Sequence, residues 1–266
     1  MDAQNGTLPI TYHIHKGTSA DSSRGGVVDF VGGGLIAEKG FNFLVGEDST
    51  DDNTGTSGLG SQCDLLGANI VNTTSFATSE IHAVMVGNSN SSSTFQKICV
   101  DGALHGVIFK DTDSCTAHSI QVRKVADNGE AVRFKTATSC TIQNYLHIVE
   151  PGWESLTERS DDSSSNCEFI NGNTYCEEGA TLTTLAEKPA GTTTTFQNCN
   201  YYSEDGSLGN YFSNEGSLLS LSSWDALGNV SDTTELDPGF LGDTDYRLTP
   251  SSSLLGAGLL NSALGS

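Results

Sequence analysis

The chain has 266 residues, with 12 Lys and Arg against 33 Asp and Glu, a formal net charge of −21. Phosphate contacts are made with Lys and Arg, so this balance excludes a nucleic-acid backbone as partner. Apolar residues make up 36 % and glycine counts 30; such a chain can fold around a narrow core only if its apolar residues recur in short runs.

Residues 1–26 read as an N-terminal cap. Thr11–His15 alternates like a strand and places His13 and His15 on one face, but no third metal ligand accompanies them, and an exposed edge is the reading. Met1-Asp-Ala-Gln-Asn has neither a basic nor an apolar leader region. The expectation is a protein released by lysis, or one without its leader. Gly25–Gly34 and Phe41–Val45 look like the first coil strands. The apolar stretch Val27–Ala37 is short and broken by Asp29 and three glycines, so membrane insertion is not expected. Gly32–Gly34 lacks the Lys-Ser/Thr and helix of a phosphate loop. Glu47–Ser61, with Asp48, Asp51 and Asp52, matches no EF-hand spacing and reads as a solvated loop.

From Cys63 onward short β-type runs recur: Cys63–Val71, Ile81–Val86 and Phe95–Val100. Between Thr94 and Tyr175 the sequence repeats itself. Gly106-Val-Ile-Phe-Lys110 returns as Ala131-Val-Arg-Phe-Lys135, and Ser114-Cys115 returns as Ser139-Cys140 and Ser165-Asn-Cys167. The cysteines are 25 and 27 residues apart. Short strands separated by Asp/Asn/Gly/Ser clusters at such a period signify a solenoid. The fold class is all-β: a single-domain parallel β-helix with coils of 23–27 residues, in which equivalent residues stack at roughly 4.8 Å. Cys115, Cys140 and Cys167 then form a column of buried thiols. Among the seven cysteines, Cys167 and Cys176, flanking Asn171-Gly172, are the best-placed disulfide pair. Beyond Tyr175, Ala180–Leu185 and Thr195–Tyr202 suggest further strands and Gly206–Ser223 a last coil. The expected organisation is a cap at 1–26, a β-helix at 27–223 and a closing segment at 224–266.

The closing segment carries a resemblance. Trp224-Asp-Ala-Leu-Gly228, Asp237-Pro-Gly-Phe240, Asp245-Tyr-Arg-Leu248 and Pro250–Gly258 occur in that order. This is similar to the tail of bacterial and phage right-handed parallel β-helix proteins of the pectin-lyase-like class, with Ser252-Ser253 where that class usually has Ser-Pro. The resemblance implies a right-handed coil. It leaves function open, because the class includes lyases, hydrolases, adhesins and tailspikes.

Stacking turns the repeats into columns of candidate site residues. One column is His82, His105, Glu130 and then Glu154 or Trp153, just before each Val-containing strand. Beside it run Asp101, Asp127 and Glu150, the positions that would hold a metal if any do. Across the strand stand Lys110 and Lys135, followed by Arg159. Five of the twelve basic residues, Lys110, Arg123, Lys124, Arg133 and Lys135, fall between positions 110 and 135. An enzyme acting on an acidic polysaccharide needs a base for the α-proton and a cation for the carboxylate, which makes Lys110, Arg133, Lys135 and His105 the catalytic candidates. His82, His105, Glu130, Trp153, Lys110 and Lys135 are the candidates for glycan binding.

Leu104-His105-Gly106-Val107 and Val132-Arg133-Phe134-Lys135 resemble the G-H-G and R-I-K motifs of polygalacturonases. That family's aspartate pair is absent: Glu80-Ile-His82 stands in its place, so hydrolysis by two carboxyls is not transferred. The expected function is a structural or adhesive surface protein, a phage spike, fibre or capsid-surface component at a virion surface or outside the cell, with a glycan-binding face. The alternative is a secreted lyase or hydrolase acting on an acidic polysaccharide. No cofactor is expected, Ca²⁺ being the one ion that would suit so acidic a chain. The expected partners are further copies of the chain, in a homo-oligomer for which the class favours a trimer, other virion or surface proteins, and an acidic glycan. Leu254, Leu255, Leu259, Leu260 and Leu264 would supply an apolar end for a partner subunit.

Overall fold

The computed structural model describes residues 92–161, 163–189, 191–242 and 245–255. Of the preceding chain it describes the strands Ile10–Ile14, Gly26–Asp29, Gly34–Ala37, Phe41–Val45, Cys63–Asn72 and His82–Val86. The predicted loop at Glu47–Ser61 and the leucines at 259, 260 and 264 lie outside the described residues.

The chain winds into a β-solenoid of stacked parallel coils, as its periodicity requires. Three parallel faces run along it. On the first, Val84 pairs with Val107, Val107 with Val132, Val132 with Glu158, and Glu158 with Ala186. On the second, Phe95, Ala117, Ile142, Phe169 and Phe196 are in register. The third stacks Ile98, Ile120, Tyr145 and Gly172. Ile10–Ile14 pairs in parallel with Phe41–Val45, so this part of the N-terminal segment adds to the first face.

Corners are made by single residues in the left-handed backbone region. Between the second and third faces Lys97, Ser119, Asn144, Asn171 and Asn198 occupy one column, all with φ between 52° and 58°. Ser92, Ser114, Ser139 and Asn166 make another column, with φ between 52° and 56°. Asn is among the few non-glycine residues that tolerate this region, and its amide can bond locally. Asn171 Nδ2 donates to Asn144 Oδ1 at 3.1 Å, tying one coil to the next. The polar clusters between the apolar runs of the sequence are these corners.

The core is a column of rings. Phe95, Phe109, Phe134, Phe169, Phe196 and Trp224 are fully buried, with successive centroids 5.8, 6.0, 4.4, 5.1 and 5.1 Å apart. Burying one such side chain stabilises by about 1.5–3 kcal/mol. Cys115, Cys140 and Cys167 form the expected buried thiol column, with the Cys115 amide directed at Cys140 Sγ at 3.4 Å. The Cys167–Cys176 disulfide is not formed; both are free thiols. They stand at opposite ends of the bent strand containing Glu168–Cys176, each turned into the core, so Asn171-Gly172 separates them rather than looping them together.

The closing segment ends the stack in two ways. The short helix Leu221–Asp225, capped by Ser220, inserts Trp224 over Phe196 and Phe212. The antiparallel hairpin of Phe240–Gly242 and Asp245–Leu248 then returns along the flank of the third face, where Tyr246 and Phe240 cover Leu146, Ile148 and Tyr175.

Gly172 shows how tightly the coils fit. A Cβ there would lie 2.3 Å from the Tyr145 ring, which passes across the glycine into the core. Gly172→Ala is therefore expected to destabilise the chain by about 1–3 kcal/mol, read as a lower urea midpoint at unchanged slope.

Candidate functional site

The structure assembles several of the sequence-derived candidates, but buries them. His82 pairs with His105 and His105 with Glu130, as the periodicity implies. Instead of facing solvent, His105 is 7 % exposed and Glu130 fully buried. The cause is a register shift. Ala103 pairs with Val125 but His105 with Glu130, so Ala126–Gly129 forms a small excursion that settles Glu130 over the histidine. Gly129 is required there, since a Cβ would meet the Leu104 carbonyl oxygen at 1.6 Å. The next coil also corrects the expected column. Glu158 pairs with Val132, which puts Leu156, not Trp153 or Glu154, level with Glu130. Trp153 packs against Leu104 and Ala126, and Glu154 binds the amide of Ser155 and the hydroxyl of Thr183.

Glu130 gathers three donors. One carboxylate oxygen is hydrogen-bonded to His105 Nδ1; the other accepts from Arg133 Nη1 at 3.1 Å and Arg159 Nη1 at 3.0 Å. Burial alone would raise the pKa of Glu130, but the bond from His105 and the charges of His105, Arg133 and Arg159 outweigh it and hold the carboxyl below its ordinary value. Asp161 takes both its oxygens to Arg133 Nη2, at 3.1 and 2.9 Å, and Arg159 also approaches Asp161 and Glu187 at 3.5 Å. Arg159 stands over Arg133 rather than over Lys135, whose register neighbour is Lys110.

Two further basic residues of the cluster are also matched. Arg123 Nε donates to Glu150 at 2.8 Å, and Lys124 lies 2.7 Å from Asp101. Asp101 and Glu150 thus serve as counter-ions, while Asp127 sits exposed on the Ala126–Gly129 excursion. Among the described residues no group of three His, Cys, Asp or Glu side chains is placed to hold a metal ion.

Two polar groupings were not legible in the sequence. The first is inside the solenoid. Glu158 takes the inward position that Val132 fills one coil earlier, and Tyr145 donates to its Oε1 at 2.8 Å. Tyr201 and Cys199 border the same carboxyl. His147, also inward, bonds Thr157 Oγ1 at 2.9 Å, and Thr174 donates to that hydroxyl at 2.8 Å. Desolvation pushes Glu158 up to about 8 and His147 down to about 3, so both are neutral inside. The second grouping is a cleft of about 440 Å³ between the C-terminal hairpin and the third face, lined by Tyr175, Phe240, Tyr246, Glu177, Glu204 and Asp237 among others. It could not be foreseen because Tyr246 lies outside the repeat, 71 residues from Tyr175.

The two neutral core groups set a pH window. Glu158, its pKa raised above the ordinary value of 4.5, withdraws stability as pH rises from that value towards about 8, by up to about 1.4 kcal/mol per pH unit. His147, its pKa lowered from 6.5, withdraws stability as pH falls below that value. Between these two ordinary values the slopes oppose each other, so urea-unfolding stability is expected to be greatest there and to fall on both sides. Glu158→Gln should flatten the alkaline side, so that stability rises up to the ordinary histidine value and stays level beyond it.

Glu130 gives a second test. Glu130→Ala removes the acceptor shared by Arg133, Arg159 and His105 and leaves the arginines to Asp161 and Glu187; it is expected to cost about 1–3 kcal/mol in urea unfolding, whereas Asp127→Ala should cost within about 0.5 kcal/mol.

No protein-family model matches the chain, and comparison with curated proteins and with solved structures gave no match either.

Proposed function

We propose that the chain is a structural and adhesive surface protein, a spike, fibre or capsid-surface component of a virion, built on a right-handed coil of the pectin-lyase-like kind. The observation that carries this reading is the withdrawal of Glu130 from solvent. The residues that resemble polygalacturonase motifs, His105 and Arg133, are spent on this carboxylate and on Asp161. A general base must reach the proton that it abstracts, and a carboxylate clamp must offer its guanidinium to the ligand. Here both groups brace one coil against the next.

Other features agree with a scaffold. Cys99, Cys115, Cys140, Cys167, Cys176 and Cys199 are free thiols, as suits a protein assembled in a reducing compartment. Leu218 and Leu255, 52 % and 48 % exposed towards the C-terminal end, offer apolar surface to a neighbouring subunit. Homo-oligomerisation as a trimer belongs to this reading, as does glycan contact along the Lys110–Lys135 step of the flank. No helix among the described residues is long and apolar enough to cross a membrane.

Three measurements test the proposal. Particles purified from the producing culture should contain the chain in fixed stoichiometry by mass spectrometry. Sedimentation velocity should give a homo-oligomer, and a monomer would remove that part of the reading. Incubation with pectate or alginate, with and without Ca²⁺, should release no unsaturated product absorbing in the ultraviolet. Product formation that is lost in Lys135→Ala would overturn the scaffold reading in favour of a lyase.

A further inference from the structure

The cleft beneath the C-terminal hairpin combines an aromatic wall with an acidic rim. Phe240 meets Tyr175 edge-on at 5.0 Å and 80°, and meets Tyr246 at 5.3 Å and 88°. Tyr202 stacks on Tyr175 from outside the wall at 6.0 Å and 13°. Edge-to-face contacts of this kind are a favoured arrangement of aromatic pairs. Around it, Tyr246 donates to Glu177 Oε1 at 3.0 Å, Tyr175 donates to Glu204, and Asp237 Oδ1 accepts from the Gly239 amide at 2.8 Å. Glu178 completes the rim, and no Lys or Arg is among the described residues lining the cleft.

Three facts narrow the ligand chemistry. The rim is negative enough that the charges of Glu204, Glu177 and Asp237 add to burial in raising the Tyr175 hydroxyl. The carboxylates do not converge, since no metal-holding group of three acids, His or Cys exists among the described residues; a compact ion such as Ca²⁺ would lack its oxygen shell. The same hairpin also already holds a cation against an aromatic face. The Arg123 guanidinium lies 5.4 Å from the Tyr246 ring centroid while bonded to Glu150. Ring face plus carboxylate is thus the setting in which this part of the molecule accommodates positive charge.

From this geometry we propose that the cleft binds a ligand bearing ammonium groups on an apolar body, either an amino sugar oligomer or an aliphatic polyamine. The C–H face or methylene chain lies on Tyr175, Phe240 and Tyr246, and the ammonium groups meet the rim carboxylates. The site is independent of whether the chain belongs to a virion, and its ligand is opposite in charge to the acidic glycan expected along Lys110 and Lys135.

Calorimetric titration of the full chain separates the outcomes, using a glucosamine tetramer, its N-acetylated counterpart, spermidine and a galacturonate tetramer. The glucosamine tetramer should bind at one site per chain, at least about tenfold tighter than the acetylated form, because each loses or keeps charge-assisted hydrogen bonds. Spermidine binding alongside it identifies the ammonium group as sufficient; its failure to bind assigns the site to the sugar. Equal binding of the acetylated tetramer, preference for galacturonate, or no binding at all would overturn the proposal. A chain of net charge −21 also attracts polycations diffusely. The exposed pair Glu178→Gln with Asp237→Asn should weaken binding about tenfold at unchanged thermal midpoint, while Glu215→Gln, on the exposed turn before Ser217–Leu219, should leave it unchanged. Equal losses in the two variants would show diffuse attraction and sink the site.

Discussion

Parallel in-register stacking governs this molecule. Each side chain has as its nearest neighbour the equivalent residue one coil away, at the roughly 4.8 Å strand spacing. Rings therefore fall on rings at Phe109 and Phe134 and at Phe169 and Phe196, and thiols on thiols from Cys115 to Cys167. Corner residues must all adopt one left-handed conformation. The same rule makes like charges collide. Arg133 and Arg159 are register neighbours, and two unit charges roughly 5 Å apart repel by about 3 kcal/mol at an effective dielectric near 20. Glu130, Asp161 and Glu187 answer that repulsion. The buried carboxylate reads first as a consequence of stacking, and its proximity to a histidine follows from the excursion that positions it.

The solenoid interior changes character along its length. Val100 and Val122 give way to His147, Thr174 and Tyr201 on one face, and Val132 to Glu158 on another. A neutral acid, a neutral imidazole and hydroxyl groups bond there through Tyr145, Thr157 and Thr174, while Glu158 Oε2, His147 Nε2 and the Tyr201 hydroxyl are buried without a hydrogen-bond partner among the described residues. Burying polar groups is costly unless they are bonded, so this layer couples stability to protonation where an apolar layer would not. At the end of the stack the ring column turns onto a helix and the hairpin folds back. Among the described residues, the cleft therefore lies where the closing segment meets the third face of the coils.

Much of the fold was legible because the repeat is local in sequence. The pairing of Val84, Val107 and Val132, the Cys column and the step from Lys110 to Lys135 follow from counting residues. The counting failed where coil length changes. Three extra residues at Ala126–Asn128 moved Glu130 inward, and the longer coil after it displaced Trp153, Glu154 and Arg159 from their expected columns. Alternation alone could not say that Glu158 points into the core, because a charged residue in a strand is ordinarily an outward one.

By itself, the sequence determined the solenoid, the approximate coil length, the thiol column and the acidic composition, since each depends on a period or a count. Only the tertiary structure decided which polar residues are consumed inside the molecule and which remain on its surface. It withdrew His105, Glu130 and Arg133 into an ion-pair network, separated Cys167 from Cys176, and brought Phe240 and Tyr246 against Tyr175 to form a cleft. The reason is physical: strand pairing is set by neighbours one period away, but burial and partnership of a charge depend on coil-length changes and on a tail whose contacts span about 70 residues of chain, as Tyr246 to Glu177 shows.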